Sequence, residues 1–287
     1  MKISVNGVEL FFDVDGAQLV PEGPWMRERP VVILLHTGPG IDHSLYKEHI
    51  GPELARDAQV LYLDQRGAGR SDWSTPEHWN LDQWVDDLRE FCDALELERP
   101  VLLGTGAGGV VALLYAARHP DRIDRLVLVS TVARYSHTRV IASFDRLGGP
   151  EAGEVAARYF ADPNEATFAE YLRVCVPLYT RNPLSPDAVA RMAINTELSA
   201  QWDASGRRDY DVRADAGAVR CPTLVLVGED DPDSGVPGGE ELIAALPEEN
   251  VTYHVFANTG HGVFRDAPEA MELVRDFVVE RSPAQPA

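Results

Sequence analysis

Apolar and polar positions along the chain follow two periods, and each period predicts a type of element. Short apolar runs, each followed by a segment with helical spacing, recur in the first and last parts of the chain. The predicted strands are residues 2–5, 8–14, 31–35, 58–63, 101–103, 125–130, 223–227 and 251–256. The first two flank Asn6-Gly7 and predict a hairpin. Apolar strands that alternate with helices indicate a parallel sheet covered on both faces.

Helical spacing predicts a second set of elements, of which several lie in one continuous stretch. The predicted helices are residues 45–55, 81–95, 110–117, 152–160, 165–174, 186–196, 240–246 and 267–281. Residues 133–213 show helical patterns and loops without a buried strand, so we expect a helical lid between two parts of a core, residues 1–132 and 214–287. The lid follows the strand at 125–130, at the strand ends where open α/β sheets bind ligands. We predict a loop over 21–30 and a frayed tail over 282–287.

Composition narrows the possible partners. A net charge of −20 argues against binding to nucleic acid or to an anionic membrane surface. The longest apolar runs are strand-sized, far below the roughly 20 residues of a membrane span. The three cysteines are scattered, and no apolar leader with a cleavage site is visible. We expect a cytoplasmic protein with a small-molecule or short-peptide substrate and with no metal or cofactor; the oligomeric state stays open.

Three motifs follow predicted strands and carry the candidate chemistry. Residues 36–40 read HTGPG, residues 64–72 read DQRGAGRSD, and residues 104–109 read GTGAGG. The third lies between a strand and a helix, which is the layout of the G-x-S-x-G nucleophile elbow. Its middle position, where the elbow has serine, is Gly106. The segment therefore predicts a sharp strand-to-helix turn that has lost its nucleophile.

In this order the motifs resemble those of the α/β-hydrolase superfamily, and more narrowly those of the proline iminopeptidase-like serine peptidases, whose marks are HGGPG and DQRGxGRS. The second motif matches in full, and the first departs at Thr37. The resemblance implies an α/β-hydrolase fold, with a mostly parallel central sheet, helices on both faces and a helical lid. It also implies that the backbone N–H groups of Gly38 and Ala107 stabilise an oxyanion.

The general base and its acid partner are expected near the C-terminal end. His261 lies in a glycine-flanked loop after the last predicted strand, which fits the superfamily order of serine, acid, histidine. The loop after the strand at 223–227 offers several carboxylates, and the family pattern selects Asp231, with Asp230 as the alternative. Asp231 would fix the tautomer of His261. Thr105, beside Gly106, is a poor substitute nucleophile because its position in the elbow points elsewhere.

Gly106 leaves two readings open. One is a serine-type acyl hydrolase, a peptidase, esterase, amidase or lactonase, that a Ser→Gly replacement, engineered or recent, has inactivated. The other is a natural non-hydrolytic member, which binds a small molecule or uses His261 as the base of a lyase or cyclase. Glycine tolerates the strained dihedral angles of the elbow, so the fold should survive in both cases.

The lid is expected to set specificity. In proline iminopeptidase-like enzymes, acidic lid residues bind the free amino end of a peptide, and Glu197 and Asp203 are the candidates for this role. Trp202 and Phe144 could line an apolar pocket. Solvated carboxylates and lid core are equally good explanations for these residues.

Overall fold

The computed structural model describes residues 1–280 and contains one large sheet. The strands are β1 Lys2–Val5, β2 Val8–Asp15, β3 Leu19–Glu22, β4 Trp25–Glu28, β5 Val31–Leu35, β6 Gln59–Leu63, β7 Val101–Thr105, β8 Arg125–Val129, β9 Thr223–Gly228 and β10 Val251–Phe256. In the large sheet they lie in the spatial order β1-β2-β6-β5-β7-β8-β9-β10, and a separate hairpin is formed by β3 and β4. All strands from β6 to β10 in this order pair in parallel, whereas β1 pairs with β2, and β2 with β6, in antiparallel fashion.

The helices connect the parallel strands, and several of them lie between β8 and β9, in the segment that the sequence predicts as a lid and that is called the lid below. They are α1 Gly51–Leu54, α2 Leu81–Ala94, α3 Ala107–Arg118, α4 His137–Gly148, α5 Pro150–Ala161, α6 Glu165–Val174, α7 Pro186–Arg191, α8 Thr196–Ala204, α9 Arg213–Ala216, α10 Gly235–Ala245, α11 Val263–Asp266 and α12 Ala270–Val279. Short 3-10 turns lie at His43–Lys47, Pro76–His78, Pro120–Arg122, Val176–Tyr179 and Glu248–Asn250. No helix within residues 1–280 has the length and apolar character needed to cross a membrane.

Alternation along the parallel strands builds a core on each face of the sheet. Ile33 and Leu35 of β5 face the cluster that contains α2, α3 and α10, while Val32 and Leu34 face the cluster that contains α1 and α12. Because both faces are buried, β5 is apolar at every position and β6, β7, β8 and β9 are apolar over most of their length, as the sequence pattern predicted. Helices α4, α5 and α6 supply a third cluster in the lid.

The lid is attached to the loops of the first two motifs through α8. The buried side chain of Asn195 donates to the carbonyl oxygen of Gly67 (2.9 Å), and its backbone N–H donates to Gly40 (2.8 Å). In the second motif, Arg66 forms a buried bidentate ion pair with Asp87, at 2.6 and 2.8 Å. The second motif thus joins the lid and α2 to the sheet, which is a structural task.

Several predicted elements differ from the structure. The loop predicted over 21–30 contains most of the β3–β4 hairpin. The helix predicted over 45–55 is a 3-10 turn followed by α1, since Gly51-Pro52 starts a new turn instead of continuing the first. The helix predicted over 186–196 is shorter in the structure, where α7 ends at Arg191. Helices α4 and α8 have no counterpart among the predicted elements. The tail at 282–287 lies outside the described residues.

Candidate active site

The candidate site begins at the turn between β7 and α3. Gly106 has φ +53° and ψ −120°, a left-handed conformation that favours glycine. Its N–H donates to Val129 of the neighbouring strand, at 3.0 Å. A Cβ added to Gly104 would lie 2.5 Å from the Cα of Gly109, so strand and helix meet without room for a side chain there. This close approach turns the chain sharply and leaves position 106 partly exposed at the carboxyl end of β7.

His261 faces position 106 from the loop after β10. An ideal Cβ on Gly106 would lie 3.5 Å from Nε2 of His261. The backbone of His261 is fixed on both sides: its N–H donates to the carbonyl of Tyr179 (2.6 Å), and its carbonyl accepts from the hydroxyl of Ser130 (2.8 Å). The ring of Tyr179 packs edge-on against the imidazole, with 5.7 Å between centroids. The lid therefore positions the ring that the sequence placed in the site.

Asp231 is the carboxylate that contacts His261. Nδ1 lies 3.1 and 3.0 Å from the two carboxylate oxygens of Asp231, which is fully buried. Asp231 also accepts from the hydroxyl of Ser234 and from the N–H of Asp233 (2.9 Å). Asp230, the alternative acid, instead pairs with Arg146 and Arg181 on the outside. The geometry selects Asp231 because its loop directs it inward between β9 and β10.

The electrostatics of the pair follow from burial and proximity. Burial alone would raise the pKa of Asp231, but the charge and hydrogen bonds of His261, Ser234 and Asp233 outweigh it and lower that pKa. Burial likewise opposes the protonated form of His261, yet Asp231 and then Asp233 raise the pKa of His261 to about 9. Asp233, which accepts from the Tyr179 hydroxyl at 3.0 Å, has a pKa raised by burial and by the charge of Asp231. The ring of His261 thus binds its proton more tightly than an ordinary histidine, because it lies beside a carboxylate.

Substituting Asp231 with asparagine is expected to lower the pKa of His261 from about 9 towards or below its ordinary 6.5, because burial then dominates. An NMR titration of the ring measures both midpoints, with His36, whose pKa burial lowers, as an internal reference. In the parent chain, protonated His261 contributes stability that is complete below pH 6.5 and is lost as the pH rises through about 9. Equal midpoints in parent and variant would show that Asp231 does not control this histidine.

The backbone N–H groups expected to stabilise an oxyanion lie together. Gly38, with φ +58°, and Ala107, the first residue of α3, line the same small cavity of about 10 Å³. Within residues 1–280 neither N–H donates to a protein acceptor. The amide of Ala107 also has the favourable position of a helix N-terminus. These free donors could stabilise a negatively charged oxygen near position 106.

A cavity of about 730 Å³ leads to Thr37 and His261. Most of its lining is apolar: Ile41, Leu45, Ile50, Val129, Val176, Pro177, Leu184, Val189, Met192, Val263 and Phe264. Within residues 1–280, Arg181 and Arg265 also line it, and no aspartate or glutamate does. Arg181 is paired with Asp230, whereas among the described residues no carboxylate lies within ion-pair distance of Arg265, whose pKa is lowered by burial. The cavity therefore suits an apolar ligand that is neutral or negatively charged.

The lid residues suggested for substrate binding do not line this cavity. Glu197 is exposed and accepts from Gln201. Trp202 is buried against Trp84, with 5.1 Å between ring centroids, and Phe144 is buried in the lid core against Tyr171 and Tyr179. Asp203 accepts from Tyr159 and Arg208. Trp202 and Phe144 thus belong to the packed interior and Glu197 is a solvated carboxylate, as the alternative interpretation has it, whereas Asp203 is a largely buried carboxylate paired within the lid. None of the four lines the cavity, which corrects the predicted pocket lining.

The structure adds residues that the sequence reasoning did not place in the site. Tyr179 and Asp233 contact the histidine and its acid from the lid and from the β9 loop, and no local pattern marks either. Thr37 is the third: its hydroxyl oxygen lies 3.4 Å from Nε2 of His261. The sequence does mark Thr37, because it is the one residue of the first motif that departs from the family pattern. Within residues 1–280, no group of three or more His, Cys, Asp or Glu side chains is arranged to hold a metal ion.

Replacing Gly106 with alanine is expected to lower the free energy of unfolding by about 1–3 kcal/mol, because the left-handed backbone is strained for any other residue. The new Cβ would also lie 2.6 Å from the hydroxyl oxygen of Thr37. Gly217→Ala is the matched control, since Gly217 has φ −63° and the nearest atom to an added Cβ is 3.7 Å away. Urea unfolding measures both variants, and equal stability would contradict the strained geometry.

Comparisons with known proteins agree with this architecture. A family model described as "alpha/beta hydrolase fold" matches residues 30–268. The chain is 30% identical over 268 residues to 2-hydroxymuconate semialdehyde hydrolase from Pseudomonas sp., covering 89% of this chain and 88% of that protein. It is 27% identical to a proline iminopeptidase from Levilactobacillus brevis, covering 84% and 85%. The crystal structure of an enol-lactonase from Burkholderia xenovorans superposes with a TM-score of 0.68 at 24% identity, covering 98% of this chain and all of that one.

Proposed function

The chain belongs to the α/β-hydrolase family, and from this premise we propose that it is an acyl hydrolase of small, mainly apolar esters or lactones. The predicted fold class is confirmed by the family model. The relatives of the chain include hydrolases and iminopeptidases. The observation that carries the proposal is the pair of Asp231 and His261, assembled at 3.0 Å and directed at position 106. A protein that only binds its ligand has no need of such a pair.

The proposed chemistry uses the groups present around Gly106. His261 accepts a proton from the attacking group and later donates it to the leaving group, and Asp231 stabilises the protonated ring. The N–H groups of Gly38 and Ala107 stabilise the oxyanion of the tetrahedral intermediate. Glycine supplies no nucleophile, so the usual attack by a serine at position 106 is absent from this chain. We infer that residue 106 is a natural adaptation, because the side chain of Thr37 fills the space beside it.

The cavity supports an ester or lactone as the substrate rather than a peptide. In the described part of the chain, the lining offers two arginines, of which Arg181 is paired with Asp230, and no carboxylate. An ammonium group would therefore be buried without a partner, which is costly. The part of the substrate that carries no charge would contact the aliphatic side chains. We therefore do not extend the aminopeptidase activity of the iminopeptidase relatives to this chain.

Three p-nitrophenyl esters of equal chain length test the proposal: butyrate, hemisuccinate and 4-aminobutyrate, which are neutral, negative and positive. We expect kcat/KM for the neutral and negative esters to exceed that for the positive ester about tenfold or more, because only the last buries an unpaired ammonium. Release of p-nitrophenol measures all three against the uncatalysed rate. No hydrolysis above that rate, for any ester, would overturn the proposed function, and a preference for the positive ester would overturn the substrate class.

A further inference from the structure

The hydroxyl of Thr37 lies where the side chain of an elbow serine would begin. A Cβ built on Gly106 would stand 2.6 Å from Oγ1 of Thr37, too close for both to be present without movement. Thr37 lies two residues after the end of β5, so the sheet fixes the start of the loop that carries it. Glycine at 106 and threonine at 37 are therefore complementary: one makes the space and the other fills it.

The same hydroxyl completes a chain of polar groups. Oγ1 of Thr37 lies 3.4 Å from Nε2 of His261, and Nδ1 of that ring lies 3.0 Å from Asp231. In the described residues, Nε2 has no other hydrogen-bond partner. Thr37 is partly exposed and lines the apolar cavity, so a substrate in the cavity can reach it. Hydroxyl, imidazole and carboxylate thus follow one another in the order of a Ser-His-Asp triad.

We propose that Thr37 is the nucleophile of this site, an inference that rests on the acyl-hydrolase function proposed above. The hydroxyl of threonine serves as a nucleophile when a base lies beside it. The oxyanion donors remain usable, because the N–H of Gly38 follows Thr37 in the chain just as the N–H of Ala107 follows residue 106. The attacking oxygen would then come from the loop after β5 instead of the turn after β7, while the base and the two N–H groups stay the same.

The reaction then proceeds in two balanced steps. Oγ1 of Thr37 bonds to the carbonyl carbon while its proton passes to Nε2 of His261, and the carbonyl electron pair moves onto the oxygen. When this intermediate collapses, the bond to the leaving oxygen breaks, the leaving alcohol takes the proton from His261, and an ester of Thr37 remains. Water attacks that ester and gives a proton to His261; the acid departs, and Thr37 regains the proton.

Mass spectrometry of peptides from the acid-quenched protein tests the proposal directly. The whole chain is mixed with p-nitrophenyl butyrate, quenched during turnover and digested. We expect a butyryl group on the peptide that contains Thr37, and the same adduct in Thr37→Ser. An adduct on any other residue, or none in the parent chain and in Thr37→Ser, would overturn the proposal.

Thr37→Val removes the hydroxyl while it keeps the shape of the side chain. We expect kcat/KM for p-nitrophenyl butyrate to fall about 10²-fold or more, and Thr37→Ser to retain activity. Thr252→Val, the same change at an exposed position of β10, is the matched control, and thermal unfolding verifies that each variant folds. If Thr37→Val keeps the parent rate while His261→Ala loses it, the nucleophile proposal fails and the hydrolase proposal stands. If His261→Ala keeps the parent rate, the proposed function itself fails.

Discussion

Replacement of His261 with alanine is expected to lower kcat/KM for p-nitrophenyl butyrate by about 10³-fold, since general base and general acid are lost together. The ring is the only group within hydrogen-bond distance of both the Thr37 hydroxyl and Asp231 among the described residues. The rate of the parent chain should rise with pH until about 9, because the neutral ring is the base and its pKa is raised to about that value. Below that pH only a fraction of the molecules carry the active form.

His254→Ala is the control for this prediction. His254 lies on β10, outside the cavity, so its replacement should leave the rate and the pH profile unchanged. The measurement is steady-state p-nitrophenol release between pH 6 and 10. If His261→Ala hydrolyses the ester at the parent rate, His261 is not the general base, whichever residue is the nucleophile.

The double substitution Thr37→Gly with Gly106→Ser is expected to exceed Thr37→Gly alone by about 10³-fold in kcat/KM. The single variant has no hydroxyl beside His261, whereas the double variant has a serine at the elbow, whose Cβ would lie 3.5 Å from Nε2. Serine at 106 in the presence of Thr37 should gain much less, because its Cβ would lie 2.6 Å from the threonine hydroxyl oxygen. The two positions are thus expected to be strongly non-additive.

The parent chain, Thr37→Gly, Gly106→Ser and the double variant form a double-mutant cycle. Their kcat/KM values for p-nitrophenyl butyrate separate the effect of each substitution from the coupling between the two positions. The double variant with Thr37→Gly and Gly106→Ala is the matched control. It adds a Cβ at position 106 without a hydroxyl, so it should stay inactive. Urea unfolding of each protein distinguishes lost stability from lost chemistry. If the double variant is no faster than Thr37→Gly although it folds, then position 106 is not a nucleophile position in this chain.

The parts of the site that follow strands could be predicted from the sequence. Gly106, Asp231 and His261 each lie within about five residues of the end of a parallel strand. The carboxyl ends of parallel strands meet at one side of the sheet, where such folds bind ligands. The structure places these three residues together for that reason. The relation between Thr37 and Gly106 is harder to predict, because the residues are 69 positions apart, from 37 to 106, and no local pattern links them. Two departures from one family pattern, Thr37 and Gly106, together indicate that the two positions have changed in a coordinated way.

The lid could not be predicted in the same way. Its helices pack on one another and on the core through amphipathic faces, and the pattern does not say which face meets the cavity. Phe144 and Trp202 were candidates for pocket lining because they are large and aromatic, yet both are buried between elements. Tyr179 contacts His261 through a backbone carbonyl and a ring edge, and neither contact depends on a recognisable motif.

A crystal structure of the parent chain with an alkyl trifluoromethyl ketone, which forms a tetrahedral adduct with a nucleophile, tests the central claim most directly. That claim is that Thr37, His261 and the N–H groups of Gly38 and Ala107 surround one reacting carbon. We predict that the ketone carbon is bonded to Oγ1 of Thr37, with its oxygen accepting from both N–H groups and its alkyl chain in the apolar cavity. A ketone that lies elsewhere, with both N–H groups unoccupied, would contradict the account.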